Sequence, residues 1–297
     1  MKVLISGASG LIGKALKDLL LKNNHEVWTL VRAKADSPQN NQIFWDIENQ
    51  SLNLSEVEGF DAFINLSGEN IAGGRWTESF KKKLHDSRIK TTGLLVDSIN
   101  KLKSPPKVFL SASAIGFYGD RGEESLDESS QQGLGFLPTL SKLWEDSANQ
   151  AKNTRIVNLR TSVVLSEEGG ALSKMKLPFK LGLGGRLGDG KQYMSWISLE
   201  DEIGAIYFCL TNPDISGPVN LTSPQPVRNA EFTKTLASVL RRPAIFHVPR
   251  LAAKIFLGEM ADELLFGSNK IFPIKLLEKG FKFQHTELRS ALEAIFI

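Results

Sequence analysis

Seven residues near the start constrain this chain more than any other stretch: Gly7-Ala8-Ser9-Gly10-Leu11-Ile12-Gly13 follows a short apolar run at 3–6 and leads into a helical pattern at 14–22. Each glycine has its own physical reason. Gly7 permits a tight turn out of the strand, Gly10 lets main-chain N–H groups approach a diphosphate at the positive end of the next helix, and Gly13 allows close packing of helix on strand. Ser9, Leu11 and Ile12 share the turn and are candidate contacts. A glycine-rich turn without a ligand is the competing explanation. The coincidence of strand, spacing and helix places dinucleotide binding ahead of it.

The first two-thirds of the chain continue in the same manner. Short β-branched runs at 27–31, 43–45, 62–66, 108–111 and 156–159 alternate with helical patterns, among them 80–102 and 140–152. Such alternation builds right-handed βαβ units and a parallel sheet. The predicted architecture is α/β: a Rossmann-type doubly wound sheet over 1–165 and a smaller C-terminal α/β substrate lobe over 166–297. The lobe opens with Gly- and Pro-punctuated sequence, including Gly182-Leu183-Gly184-Gly185 and Pro224-Gln225-Pro226. The segment 217–223 is predicted to return a strand to the main sheet.

The second strand selects the dinucleotide. A site for NAD places a carboxylate roughly 20 residues past the glycines, where it binds the ribose 2′-OH. Here the strand ends Leu30-Val31-Arg32. A carboxylate would repel a 2′-phosphate, whereas a guanidinium binds it through charge-assisted hydrogen bonds. The expected cofactor is NADP(H).

Composition removes several classes of function. A net charge of +3 gives no reason to expect nucleic acid, and Lys81-Lys82-Lys83 falls on a helical pattern where it reads as a solvated face. Cys209 is the only cysteine, so no internal disulfide forms, and the four histidines show no metal-ligand spacing. No run approaches the roughly 18 apolar residues of a membrane span. Residues 1–5 give way to glycine before a signal-peptide core develops. A cytoplasmic protein acting on a small molecule, without a metal, nucleic acid or membrane partner, is expected.

Further motifs accumulate along the chain. Asp46 follows the third strand, and Asn65-Leu66-Ser67-Gly68 closes the fourth. Arg75-Trp76, Ser87-Arg88, Leu159-Arg160-Thr161, Gly169-Gly170, Gly184-Gly185, Gln192, Ser195-Trp196-Ile197 and Gly280-Phe281-Lys282-Phe283 follow in order. Together with the glycine turn they resemble the extended short-chain dehydrogenases/reductases, and within them the NAD-dependent epimerase/dehydratase-like "epimerase family protein" subgroup, nearly end to end. The resemblance implies that Asp46 contacts adenine and that Asn65, Leu66, Ser67 and Gly68 lie against the cofactor. It also implies a sugar-like, nucleotide-linked or other small polar substrate. Dimerisation through 80–102 and 140–152 stands beside a monomer.

One departure from that superfamily matters. Its members use a tyrosine four residues before a lysine, whose ammonium makes the phenolate accessible. Only Tyr118, Tyr193 and Tyr207 are present, and Pro138 stands four before Lys142. Ser113 and Tyr118, in Ser111-Ala112-Ser113-Ala114-Ile115-Gly116-Phe117-Tyr118-Gly119, are the candidates to line the catalytic site, with Lys142 holding the nicotinamide ribose. In the lobe, Arg160, Arg186, Lys191, Gln192 and Trp196 are candidate substrate contacts, the cations for a phosphate or carboxylate and the indole for stacking. Two functions remain in view: an NADP(H)-dependent oxidoreductase or epimerase, and a non-catalytic dinucleotide-binding regulator.

Overall fold

The computed structural model describes residues 1–33 and 41–297. Its main sheet contains β1 (Lys2–Ser6), β2 (Glu26–Val31), β3 (Gln42–Asp46), β4 (Ser51–Leu52), β5 (Ala62–Asn65), β6 (Val108–Ala114), β8 (Arg155–Thr161) and β13 (Gly217–Leu221). The order is β13-β8-β6-β5-β1-β2-β3-β4. Every neighbouring pair is parallel except β3–β4. The chain winds outward from β1 in both directions, so the strand order reverses between β1 and β5. That is where a doubly wound sheet opens a crevice at its C-terminal edge.

Both faces of this sheet are covered, which is why its strands read as continuous apolar runs. Alternation in β1 divides the two cores: Val3 and Ile5 point to one, Leu4 to the other. The first core is closed by α1 (Leu11–Lys22) and α6 (Leu199–Thr211), which present Leu16 and Leu20, and Ala205, Ile206, Cys209 and Leu210. The second is closed by α3 (Glu78–Lys101) and the end of α4 (Phe136–Ala148), with the short α2 (Leu54–Val57) at its edge.

The lobe is smaller and built from short pieces. A third core gathers α5 (Gly170–Lys180), α7 (Asn229–Val239) and α11 (Leu288–Phe296) around Trp196. Two-stranded pairs frame it: β9 (Val163–Leu165) with β12 (Trp196–Ser198), β10 (Gly185–Leu187) with β15 (Phe246–Val248), and β11 (Tyr193–Met194) with β14 (Val227–Arg228). A fourth pair, β7 (Ser125–Leu126) with β16 (Lys270–Ile271), ties the loop after β6 to the C-terminal segment. The helices α8 (Arg250–Leu257), α9 (Glu259–Ala261) and α10 (Ile274–Glu278) complete the chain.

A boundary at 165 does not separate these two parts. The stripe Ala205, Ile206, Cys209 and Leu210 is apolar at helical spacing, so α6 packs beside α1, and β13 then adds to the sheet edge. Residues 199–221 therefore belong to the sheet layer. Among the described residues, no helix is long and apolar enough to cross a membrane.

Candidate cofactor and catalytic site

The turn from β1 into α1 shows three glycines under different constraints. Gly7 has φ +73°, and a Cβ there would lie 2.6 Å from the carbonyl of Leu66. At Gly13 a Cβ would lie 2.2 Å from the Gly7 oxygen. Both are forbidden by the protein's own packing. Gly10 is not: a Cβ would meet nothing nearer than 3.4 Å. Its missing side chain leaves room on the outside of the turn. Gly10 is also the N-cap of α1, with no side-chain cap and no acid in the first turn. The leading amides of a helix have no partner within it and carry its positive end. This turn is shaped to receive an anion.

Asn65 holds the neighbouring strand ends together. Its buried Oδ1 accepts from Ser6 Oγ at 2.6 Å and from the Ser67 amide at 3.2 Å, while Nδ2 donates to Thr92 Oγ1 on α3 at 2.8 Å. Trp144 of α4 donates to the same hydroxyl at 2.9 Å. The side chain of Asn65 is thus consumed inside the protein; the main chain of Leu66, Ser67 and Gly68 is what borders the crevice. Asp46 is engaged as well, its two oxygens accepting from Asn49 at 3.0 and 2.8 Å across the β3–β4 turn.

Arg32 stands exposed just past β2. Across the crevice, a hydrogen bond from Lys83 holds the Glu69 carboxyl below its usual range against partial burial, and the field of Arg32 adds to this. The nearby carboxylate is therefore already matched by Lys83, 2.9 Å away.

Sequence reasoning assigned no site role to a cation on the far side of Gly68. Arg88, on α3, is only 9% exposed. Its Nη1 donates to the Leu84 oxygen at 3.0 Å and Nη2 to the Glu69 oxygen at 3.1 Å. Its guanidinium lies over the Trp144 ring at 5.0 Å. No carboxylate forms an ion pair with it among the described residues. Burial lowers its pKa to about 10, with Glu69 opposing, so the group is still a cation at neutral pH. The signal was available: Arg88 occupies the buried stripe of α3 with Leu84, Thr91, Thr92 and Leu95, where a cation has no structural reason to be.

A second buried group joins Ser113, Glu145, Arg160, Tyr118 and Asn220. Ser113 Oγ donates to Glu145 Oε1 at 2.7 Å. Arg160 grips the same carboxylate through Nε and Nη2, at 2.7 and 2.9 Å, and donates from Nη1 to the Tyr118 hydroxyl at 2.9 Å. That hydroxyl donates to Asn220 Oδ1 at 2.7 Å. The Arg160 guanidinium also stacks 3.6 Å from the Phe117 ring centroid. The group links β6, α4, β8, β13 and the turn after β6, and its charges are paired as buried charges must be.

Comparison with known proteins decides the family. The model of the NAD dependent epimerase/dehydratase family matches residues 3–221. The chain belongs to that family. Residues 248–295 also match a domain of unknown function (DUF1731). An epimerase family protein of Mycobacterium leprae is 40% identical over 292 residues, covering 98% of this chain and 94% of that one. The crystal structure of the human epimerase family protein SDR39U1 with NADPH is similar with a TM-score of 0.90 and 33% identity, covering 99% of each chain. A nucleoside-diphosphate sugar epimerase from Corynebacterium glutamicum matches with a TM-score of 0.83 and 31% identity, over all of this chain and 58% of that one.

Several of the side chains singled out in the sequence are held by partners within the protein. Tyr118 is fully buried, and burial pushes its phenol up to about 12 against the neighbouring Arg160. Its hydroxyl is held between Arg160 and Asn220. Ser113 is likewise committed to Glu145. Lys142 lies on the outward side of α4, with Nζ 2.5 Å from both oxygens of Asp146. The reason is helical register: Leu137, Leu140, Ser141, Trp144, Glu145 and Ala148 form the buried stripe of α4, and position 142 falls outside it.

The substrate candidates also scatter. Arg160 belongs to the buried group. Trp196 is fully buried in the lobe core, with Nε1 donating to the Gln225 oxygen at 3.0 Å, so its ring offers no stacking surface. Gln192 spans two main-chain oxygens, of Leu187 and Leu265, at 3.2 and 3.1 Å. Lys191 is exposed in the turn beside Asp189. Arg186 is exposed on β10, well away from the glycine turn in sequence and on a different element.

Proposed function

We propose that the chain binds NADP(H) in the β1–α1 crevice and serves as an oxidoreductase or epimerase for a small polar substrate, without a tyrosine as its proton carrier. The single observation that carries this reading is Gly10: its side chain is absent where the protein has room for one, at the uncapped N-terminus of α1. The residues fit the group. Main-chain amides of Leu11 and Ile12 receive the diphosphate, Arg32 receives the adenosine 2′-phosphate, and the buried cation of Arg88 favours negative charge beside Gly68. The human relative with NADPH bound supports the same choice of cofactor. A bound nicotinamide supplies hydride transfer; this chain's residues bind, orient and exclude water.

Titration calorimetry with NADPH and NADH tests the reading. Arg32→Ala is expected to weaken NADPH by about tenfold or more, the loss of a charge-assisted contact, and to leave NADH unchanged. No binding of either reduced coenzyme to the unaltered chain would overturn it.

A second reading has its own observation. With Tyr118 buried and Lys142 turned outward, the usual proton-transfer pair is missing, which favours a regulator whose partner recognises the cofactor-loaded state. Single-turnover assays of the NADPH-loaded protein with carbonyl and sugar-nucleotide compounds separate the two. Nicotinamide oxidation with any of them supports the enzyme; none, alongside a cofactor-dependent protein partner, supports the regulator.

A further inference from the structure

The lobe contains a second concentration of positive charge, in an open cleft of about 600 Å³ between α7 and the β10–β15 pair. We propose that this cleft binds a phosphorylated small molecule, at a site separate from the dinucleotide crevice. Four basic side chains line it: Arg186 on β10, His247 on β15, Lys234 on α7 and Arg242 just beyond α7. Among the described residues, no aspartate or glutamate does.

The backbone brings these groups together. Arg186 and His247 are register partners in the parallel pair, so their side chains leave the same face side by side. Arg242 is anchored by main-chain oxygens rather than by an acid: Nε donates to Lys180 at 3.0 Å and Nη1 to Arg241 at 3.3 Å. Among the described residues, Arg186, Lys234 and His247 have neither a hydrogen bond nor an ion pair through their side chains. Like charges gathered without an acid repel one another, and a bound anion relieves that repulsion.

One further feature points to a ligand. At the lip, Phe246 is 48% exposed, offering an apolar surface to the remainder of the molecule. Two guanidinium groups and an ammonium exceed what one carboxylate neutralises and suit the charge of a diphosphate, for which arginine has matching donor geometry. None of the residues at the glycine turn, Arg32 or Arg88 lines this cleft, so the proposal does not depend on the cofactor reading.

The test is calorimetry on the full chain, with and without saturating NADPH, using inorganic diphosphate and uridine diphosphate as probes. With NADPH filling the first site, both probes are expected to bind saturably and more weakly as salt rises, uridine diphosphate more tightly because of Phe246. The double substitution Arg186→Ala/Lys234→Ala is expected to weaken both by about tenfold or more, the loss of two charged contacts, while NADPH affinity stays unchanged and reports an intact fold. Absence of saturable binding by both probes, or equal binding by the double variant, would overturn the proposal. Binding of uridine diphosphate that excludes a turned-over substrate identifies a substrate subsite; binding that leaves turnover substrate in place identifies an effector site. Failure to bind NADPH alone would sink the cofactor reading and leave this one standing.

Discussion

The guanidinium of Arg88 lies 5.0 Å from the indole ring of Trp144, and a Cβ added to Gly68 would come within 3.5 Å of its Cζ. The cation is sandwiched between an aromatic face and the main chain that borders the cofactor crevice. A buried charge with no ion-pair partner among the described residues carries a desolvation cost, and replacing Arg88 with leucine removes that cost while giving up its hydrogen bonds to the Leu84 and Glu69 oxygens. Its cost is offset when an anion arrives nearby.

Arg88→Leu is therefore expected to separate stability from binding. Unfolding of the ligand-free variant should stay within about 1 kcal/mol of the parent or improve, while NADPH affinity falls by about tenfold. Thermal unfolding with and without NADPH measures both. Equal stabilisation of parent and variant by NADPH would show that Arg88 plays no part in binding.

The glycines of the turn are expected to fail in different ways. Gly13→Ala places a methyl 2.2 Å from a main-chain oxygen and should cost about 3 kcal/mol or prevent folding. Gly10→Ala has room within the protein and should fold with nearly parental stability, yet lose NADPH. Circular dichroism melts beside calorimetry distinguish the two; a Gly10→Ala protein that binds normally would contradict the site.

Glu202 gives the fold a dependence on pH. It is fully buried on α6, its Oε1 accepts from Thr161 Oγ1 at 2.8 Å, and its Oε2 has no partner among the described residues. Burial pushes its carboxyl from 4.5 up to about 8, against the Thr161 hydrogen bond. The folded chain therefore holds a proton that the unfolded chain releases. This contribution to stability is fully present below the unfolded value of 4.5 and is lost as pH rises through the folded value of about 8, by on the order of 5 kcal/mol. Glu202→Gln should flatten that decline and be the more stable protein above pH 8. Parallel denaturant curves from pH 5 to 9 for parent and variant would reveal no difference in slope if the idea is wrong.

Glu145 and Lys142 sit less than one helical turn apart and should behave oppositely. Glu145→Gln strips the buried Arg160 of its counter-charge, with an expected cost of about 3–5 kcal/mol. Lys142→Ala removes only a half-exposed pair with Asp146, expected to shift stability by less than about 1 kcal/mol. NADPH affinity of the Lys142→Ala protein should equal that of the parent; a marked loss would restore the ribose-binding role that its position on α4 argues against.

The glycine turn, the parallel strands and the helices that flank them were legible because each is a local pattern. β-branched runs, helical spacing and a glycine signature need only neighbours in sequence to be read. Family membership followed from the same local motifs. Helical register was also written in the chain: the stripe that buries Glu145 and Trp144 excludes Lys142.

The sequence by itself determined an α/β chain with a dinucleotide turn at its head and a cation at the end of its second strand. Only the tertiary structure decided which polar groups are free. Arg160, Trp196, Tyr118 and Ser113 carry suitable chemistry, yet burial and partners from distant elements commit them to the protein interior. Arg88, on the buried stripe of its helix, has no ion-pair partner among the described residues, and only the fold brings Gly68 and Trp144 around it. Availability of a polar group depends on what lies within a few ångströms, and those neighbours come from parts of the chain that no local pattern connects.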